Sequence, residues 1–302
     1  MTSVVIGWSN YPGTSYALRY CEANRAQWME RVVMPVWGVV DGGPNLVVMG
    51  DLAYTIAFAR TAVREMAARL KPGEWGFYIH AGHGTDEVPV VNADGVVVGR
   101  AQGMVCNDSD FARPESFYTA SLFEADIAGC LGNVGIIIDG CTCGGIIRDM
   151  VDMGLVGKGE RVMMLGLPGS TTLATQICYI YNPAWDGPRA NPPRPRLATQ
   201  IRYIYNPAWA GKRAFRDLPV VNMVPQGERI VVVTACREGE SAPDIELGGF
   251  SDIGTSLIAA EPKFPWDGSL VAQRVNTRLP AELNNHATVS GNIPNLVWPH
   301  VE

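Results

Sequence analysis

The sequence predicts an α/β fold, with a mostly parallel central sheet of about six strands and helices on both faces. Three observations carry this reading. Gly135-Ile136-Ile137-Ile138 is an uninterrupted β-branched run, the pattern of a strand buried on both faces of a parallel sheet. Trp75-Gly76-Phe77-Tyr78-Ile79-His80 is a second hydrophobic, strand-like run. Ahead of it, Ile56, Ala59, Val63, Met66 and Leu70 fall at +3, +7, +10 and +14, a helical stripe. Strand–helix–strand alternation with one apolar helix face lays the helices against a parallel sheet.

The elements follow in order. Ser3–Trp8 reads as a strand and Ser9–Thr14 as a turn on Pro12 and Gly13, with Thr14 or Ser15 capping a helix to about Glu30. Residues 32–50 hold one or two short strands around Pro35. Asp51 is read as the cap of the striped helix, which Lys71-Pro72-Gly73 ends. Residues 85–118 read as a polar excursion carrying Asp86, Glu87, Asp94, Asp108 and Asp110. Ser121-Leu122-Phe123-Glu124 has the form of a capping box opening a helix to about Leu131. Arg161–Leu167 and Arg229–Cys236 read as strands, Ile253–Ala260 and Ser269–Leu279 as helices, and Leu296–Trp298 as a last edge strand.

An internal repeat interrupts this series. Leu173–Trp185 recurs at Leu197–Trp209 with Arg202 in place of Cys178 as the one change, and two copies are too few for a solenoid. Tyr-Ile-Tyr before Asn-Pro gives each copy strand chemistry, so a duplicated hairpin or a sheet-edge extension is expected. The proline-rich stretch 186–196 between the copies reads as an exposed linker.

Composition bounds the class. The 302 residues are 47% hydrophobic and 18% charged, with 33 glycines and 21 prolines, an ordinary globular balance. A net charge of −6 without a basic block argues against nucleic acid or an anionic membrane as partner. Val32–Val40, broken by Pro35, is the nearest approach to a long apolar run, and no signal-peptide pattern is read at the N-terminus. Seven cysteines, odd in number and mostly inside apolar runs, favour reduced thiols. A cytoplasmic protein is therefore expected.

Two strand ends carry the chemistry. The isoleucine strand stops at Asp139-Gly140-Cys141-Thr142-Cys143-Gly144-Gly145, just before a helical stretch. A thiol there lies in the crevice beyond the strands, near a helix N-terminus. Cys141 reads either as a nucleophile or as an ordinary buried cysteine. The other strand ends in His80-Ala81-Gly82-His83-Gly84, holding two of the chain's four histidines. Adjacent strand tips so furnished point to a Cys–His dyad. His80 comes second to His83, and Cys143 is the main rival nucleophile to Cys141. A rival reading takes His80, His83, Cys141 and Cys143 as four zinc ligands, or the two cysteines as a redox pair.

Tyr78-Ile79-His80-Ala81-Gly82-His83-Gly84 resembles the Ser-Gly-His-Gly motif of metacaspases and other caspase-like cysteine peptidases. Ile138-Asp139-Gly140-Cys141-Thr142-Cys143-Gly144 resembles their Asp-Ser-Cys-His-Ser-Gly motif. Val4–Gly7, Tyr11–Thr14 and Leu18–Cys21 resemble the first strand and following helix of that family. Val231–Arg237 with Glu240-Ser241-Ala242, and the tail Gly291–Leu296, resemble its later segments. The resemblance implies one caspase-like three-layer domain over 1–302. Its large-subunit-like part would span about 1–155, an insertion with the repeat about 170–225, and a small-subunit-like part about 226–302.

It also implies an endopeptidase in which Cys141 attacks a peptide carbonyl and His83 moves the proton. The N–H groups of Gly84 and Cys141 would form the oxyanion hole. Asp139, Cys21, Asn24 and Ala81 take pocket positions, although Asn24 stands where the family has aspartate and Ala81 where it has serine. A basic residue before the scissile bond is expected, because Asp139 would repel an acidic one; Arg19 or Arg25 entering the pocket would reverse this. Arg189, Arg196, Lys212 and Arg213 are candidate processing sites of a zymogen, and bacterial cell death or defence is the implied setting. No cofactor is expected. The family's calcium activation would need an acidic cluster that Asp86, Asp94, Asp108 and Asp110 echo only in part. A monomer or homodimer acting on protein or peptide substrates is implied; an inactive scaffold of the same fold is the alternative.

Overall fold

A computed structural model describes residues 1–140, 200–201, 229–236, 242–280, 283, 285–291, 293 and 295–301. Cys141, Cys143, the Arg161–Leu167 strand, the first repeat copy, most of the second and all four processing candidates lie outside the described residues.

The central sheet has six strands: β1 (Thr2–Trp8), β2 (Leu46–Gly50), β3 (Trp75–Ala81), β7 (Asn133–Asp139), β9 (Ile230–Thr234) and β11 (Thr288–Gly291). They run in the order β11-β9-β7-β3-β1-β2. All neighbours are parallel except the antiparallel edge pair β11–β9, so the sheet is mixed but mostly parallel. Every residue of β3, β7 and β9 is buried, as continuous apolar runs flanked on both faces should be. The predicted edge strand at 296–298 is not one. The edge is β11, and Trp298 instead packs edge-on against Trp37 and Phe77.

Alternation along β3 separates the two faces. Gly76 lies under Met66 and Leu70, and Tyr78 and His80 share its face. That face carries α2 (Ile56–Arg69), which packs on β1 and β3 and on α3 (Ala120–Ile127). Phe77, on the other face, stacks on Trp37 at 4.0 Å. Here α1 (Cys21–Trp28) packs on β1 and β3 and against α4 (Phe250–Ala260). Helix α5 (Gly268–Asn276) contacts α4, β9 and β11.

Several expected boundaries move. Helix α1 begins at Cys21, well after Thr14 and Ser15, and continues through a π-helical turn, Met29–Val33, where the sequence predicts the start of a strand. Asp51 does not cap α2. Thr55 does so through Phe58 N–H, and Asp108 Oδ1 takes Ile56 N–H at 2.9 Å. The Ser121 capping box does not form, since α3 starts at Ala120 without a side-chain cap. Residues 85–118 are not an irregular excursion. They build a three-stranded antiparallel sheet of β4 (Gly84–Val91), β5 (Val97–Val105) and β6 (Phe117–Thr119). Asp86 pairs with Arg100 across it at 2.6 Å, and the amide oxygen of Asn92 closes the β4–β5 turn by accepting from Asp94 and Val96 N–H. Within the second repeat copy, β8 (Gln200–Ile201) pairs antiparallel with β10 (Pro243–Asp244).

Candidate functional site

Strand order locates the site. From β1 the chain goes to β2 on one side and then to β3 on the other, so the loops leaving β1 and β3 diverge at their carboxyl ends. Such a switch point opens the crevice where α/β sheets bind ligands. His83 stands in the loop after β3, and residues 9–20, after β1, fold over it.

His83 is fully buried and held from several directions. Its Nε2 lies 2.6 Å from the Tyr16 carbonyl oxygen. A carbonyl only accepts, so Nε2 carries the hydrogen, and in the neutral ring Nδ1 carries the lone pair. Its backbone N–H donates to the Tyr11 hydroxyl at 3.0 Å, and that hydroxyl donates to the Val105 carbonyl at 2.7 Å. Val105 N–H returns a 3.0 Å bond to the His83 carbonyl. The Tyr11 ring also packs on the imidazole, with centroids 4.8 Å apart. Tyr11 has a left-handed backbone, φ 50°, a strained state for a bulky residue at a site that aims its phenol inward. Burial raises that phenol well above its ordinary pKa, so it stays a donor.

The cysteine strand ends beside this histidine. Ala81 is in register with Asp139, Gly82 N–H donates to the Asp139 carbonyl at 3.2 Å, and Ala235 N–H donates to the Ile138 carbonyl at 2.9 Å. Gly82 and Gly140 are backbone to backbone. A Cβ on Gly140 would fall 2.8 Å from the Gly82 oxygen, and one on Gly82 would fall 2.6 Å from the Tyr11 hydroxyl. Cys141 is the next residue after Gly140 in the sequence. Cys236, at the tip of β9, donates its thiol hydrogen to the Gly140 carbonyl at 3.3 Å.

The predicted pocket residues come together. Asn24 Nδ2 donates to Asp139 Oδ2 at 2.9 Å, and Ser251 Oγ makes a short bond to the same oxygen. Trp28 Nε1 in turn donates to Ser251 Oγ at 3.0 Å. Asn24 Oδ1 is buried without a hydrogen-bond partner among the described residues. Cys21, three residues before Asn24, shares a small apolar cluster with Ala81, Tyr11, Leu18 and Val88, distinct from the main core. All four pocket candidates are buried. Arg19 is exposed and Arg25 lies over the Trp8 ring at 5.9 Å, so neither guanidinium pairs with Asp139. The start of α1 is pinned from outside: Asn10 Oδ1 takes Cys21 N–H, and Asp244 takes those of Arg19 and Tyr20.

Both ring nitrogens of His80 are engaged, Nδ1 at 2.8 Å from the Tyr54 hydroxyl and Nε2 at 3.0 Å from the His83 carbonyl. Of the other residues in the four-ligand zinc reading, Cys141 and Cys143 lie outside the described residues. Of the acids weighed for calcium, Asp86 pairs with Arg100. Asp108 caps α2, Asp110 pairs with Arg113, Asp94 lies in the β4–β5 turn, and no group of three or more His, Cys, Asp or Glu is set for a metal among the described residues. Tyr11, the Tyr16 carbonyl, Tyr54, Ser251 and Asp244 join the site without any sequence signal that marks them for it. A supporting backbone carbonyl has no sequence signature, and a serine at a helix start reads as a routine terminus.

No protein-family profile matches the chain, and no curated protein does. Among solved structures, it is similar to protein GSU0716 from Geobacter sulfurreducens at 15% identity, with a TM-score of 0.54 over 99% of this chain and 97% of that one. At that identity the likeness carries the α/β architecture alone. Among the described residues no helix is long and apolar enough to cross a membrane.

Proposed function

We propose that this chain is a cysteine endopeptidase of caspase-like, metacaspase type, with Cys141 as nucleophile and His83 as its base, on a caspase-like three-layer domain. The observation that carries the reading is the state of His83. Its Nε2–H is committed to the Tyr16 carbonyl, one strand away from Asp139-Gly140, the two residues that precede Cys141 in sequence. Nδ1 then bears the lone pair that takes the thiol proton. The thiolate would attack the peptide carbonyl, the C–N bond would break as the imidazolium protonates the leaving amine, and water would hydrolyse the thioester. Gly84 N–H, at the start of β4, would face the oxyanion.

A basic residue before the scissile bond is the specificity the floor supports. Asp139 supplies the charge, and Asn24 Oδ1, buried and unpartnered among the described residues, supplies an acceptor beside it. Self-processing at Arg189, Arg196, Lys212 or Arg213, and a role in bacterial cell death or defence, extend the proposal.

Fluorogenic peptides ending in Arg, Lys or Asp, assayed with wild type and Cys141→Ala, with and without calcium, test the reading. Turnover after Arg or Lys that vanishes in Cys141→Ala is expected. Turnover after Asp alone would overturn the pocket and keep the peptidase. No turnover under any condition would favour the inactive scaffold, for which the substitution of Asn24 for an expected aspartate is the specific observation.

A further inference from the structure

The proposed mechanism gives His80 no part in the thiol chemistry, yet it is fully buried with Tyr54 and Tyr78 behind it. The direction of each bond in this chain follows from its end. The His83 carbonyl can only accept, so His80 Nε2 bears the hydrogen. In a neutral ring Nδ1 then accepts from the Tyr54 hydroxyl, and Tyr54, its one hydrogen used, accepts from Tyr78 at 2.7 Å. A charged imidazolium would be a buried cation at 0% exposure. Burial holds both phenols protonated, well above their ordinary pKa.

The carbonyl that receives this chain belongs to the peptide unit His83–Gly84, whose other end is Gly84 N–H. A trans peptide is planar, so its C=O and N–H point in opposite directions, and fixing one aims the other. Val105 N–H takes the same carbonyl from β5. Gly84 and Met104, the next pair along, are therefore a non-hydrogen-bonded pair, whose N–H groups turn away from the partner strand. Two donors on one carbonyl also polarise the amide and strengthen its N–H as a donor.

We propose that His80 is a positioning residue. Backed by Tyr54 and Tyr78, it clamps the His83 carbonyl so that Gly84 N–H is aimed and polarised for the oxyanion. This rests on the cysteine-peptidase reading and adds a residue to it.

The test uses the full chain with His80→Phe and His80→Gln, the second keeping a side-chain N–H donor. Loss of about 10- to 100-fold in kcat with little change in KM is expected for His80→Phe, partly restored in His80→Gln. Affinity for a peptide aldehyde, whose adduct carries the oxyanion, should fall in parallel with kcat/KM. Equal losses in kcat and KM in both variants, or aldehyde affinity unchanged, would overturn the proposal. In Cys141→Ala, nitrogen-15 NMR of the four histidines separates its failure from that of the peptidase reading. A neutral Nε2–H tautomer at His80 supports the clamp whether or not any peptide is cleaved, and an Nδ1–H or charged ring overturns it. A correct tautomer in a wild type that cleaves nothing would instead overturn the peptidase reading.

Discussion

At Asp139 a buried carboxylate is held by neutral donors, Asn24 Nδ2 and Ser251 Oγ, where the family resemblance leads one to expect a second acid in place of Asn24. Replacing Asn24 by Asp removes a donor and sets two carboxylates against each other in a buried site. They cannot both ionise cheaply, so the pair would share a proton with its upper pKa raised. The sign follows from proton binding. A carboxyl with a folded pKa above its unfolded value binds more protons folded than unfolded, so stability falls as pH rises above about 4. Asn24→Asp is therefore expected to cost roughly 3 kcal/mol at pH 7, from a shift of about two units, with the gap closing at acid pH. It should also raise turnover after Arg relative to Lys, because two carboxylates suit the guanidinium fork. Denaturant midpoints at several pH values check the first part. A pH-independent loss, or no loss, would mean that the two side chains do not share a desolvated site.

At the scale of elements, α2 and α3 are joined through a single acid. The Asp126 side chain, 1% exposed, accepts from Arg60 Nε at 2.8 Å and Arg64 Nε at 2.7 Å, and the Tyr118 hydroxyl donates to it at 3.2 Å. Both arginines reach water, at 25% and 52% side-chain exposure, so they are not stranded when the charge is removed. Asp126→Asn should consequently fall at or below the lower end of a broken buried pair, about 2–3 kcal/mol. Urea unfolding should show a lower midpoint with an unchanged slope; a midpoint shift worth under about 0.5 kcal/mol would assign the helix contact to apolar packing alone. Elements also show what patterns miss. The β4–β5 hairpin is hidden because Asp86, Glu87 and Pro89 break a hydrophobic alternation, while Arg100 across the ladder and burial of Val88 make those positions workable. The caps mislead for a related reason. Asp51 has the right residue type one turn early, but its carboxylate is spent on Asn10 N–H, and the donors of α2 are met by Thr55 and by Asp108, distant in sequence.

At the scale of the whole molecule, the sheet is legible because its central strands are buried on both faces and therefore read as plain apolar runs, and β3 and β7 emerge in register at Ala81 and Asp139. His83 is legible because histidines are few and this one sits between glycines at a strand end. Its supports are not, since Tyr16 acts through a carbonyl and Tyr11 arrives from another loop. Among the described residues the repeat contributes β8, paired with β10, and no strand of the six-stranded sheet. Deleting residues 173–196, one period, joins Thr172 to Leu197 and leaves one full copy, with Gln200 and Ile201 still available to pair with Pro243 and Asp244. Loop-closure cost grows only with the logarithm of length, so if residues 173–196 add length alone to the connection from β7 to β8, their loss shifts stability by well under about 1 kcal/mol. The deletion is expected to keep the unfolding midpoint and peptide turnover of the parent. It also removes Arg189 and Arg196 while sparing Lys212 and Arg213, so intact-mass analysis after incubation would assign any self-cleavage to one pair or the other. A collapse of the midpoint by several kcal/mol would instead mean that the first copy carries part of the core. The repeat would then belong to the fold rather than being an addition to it.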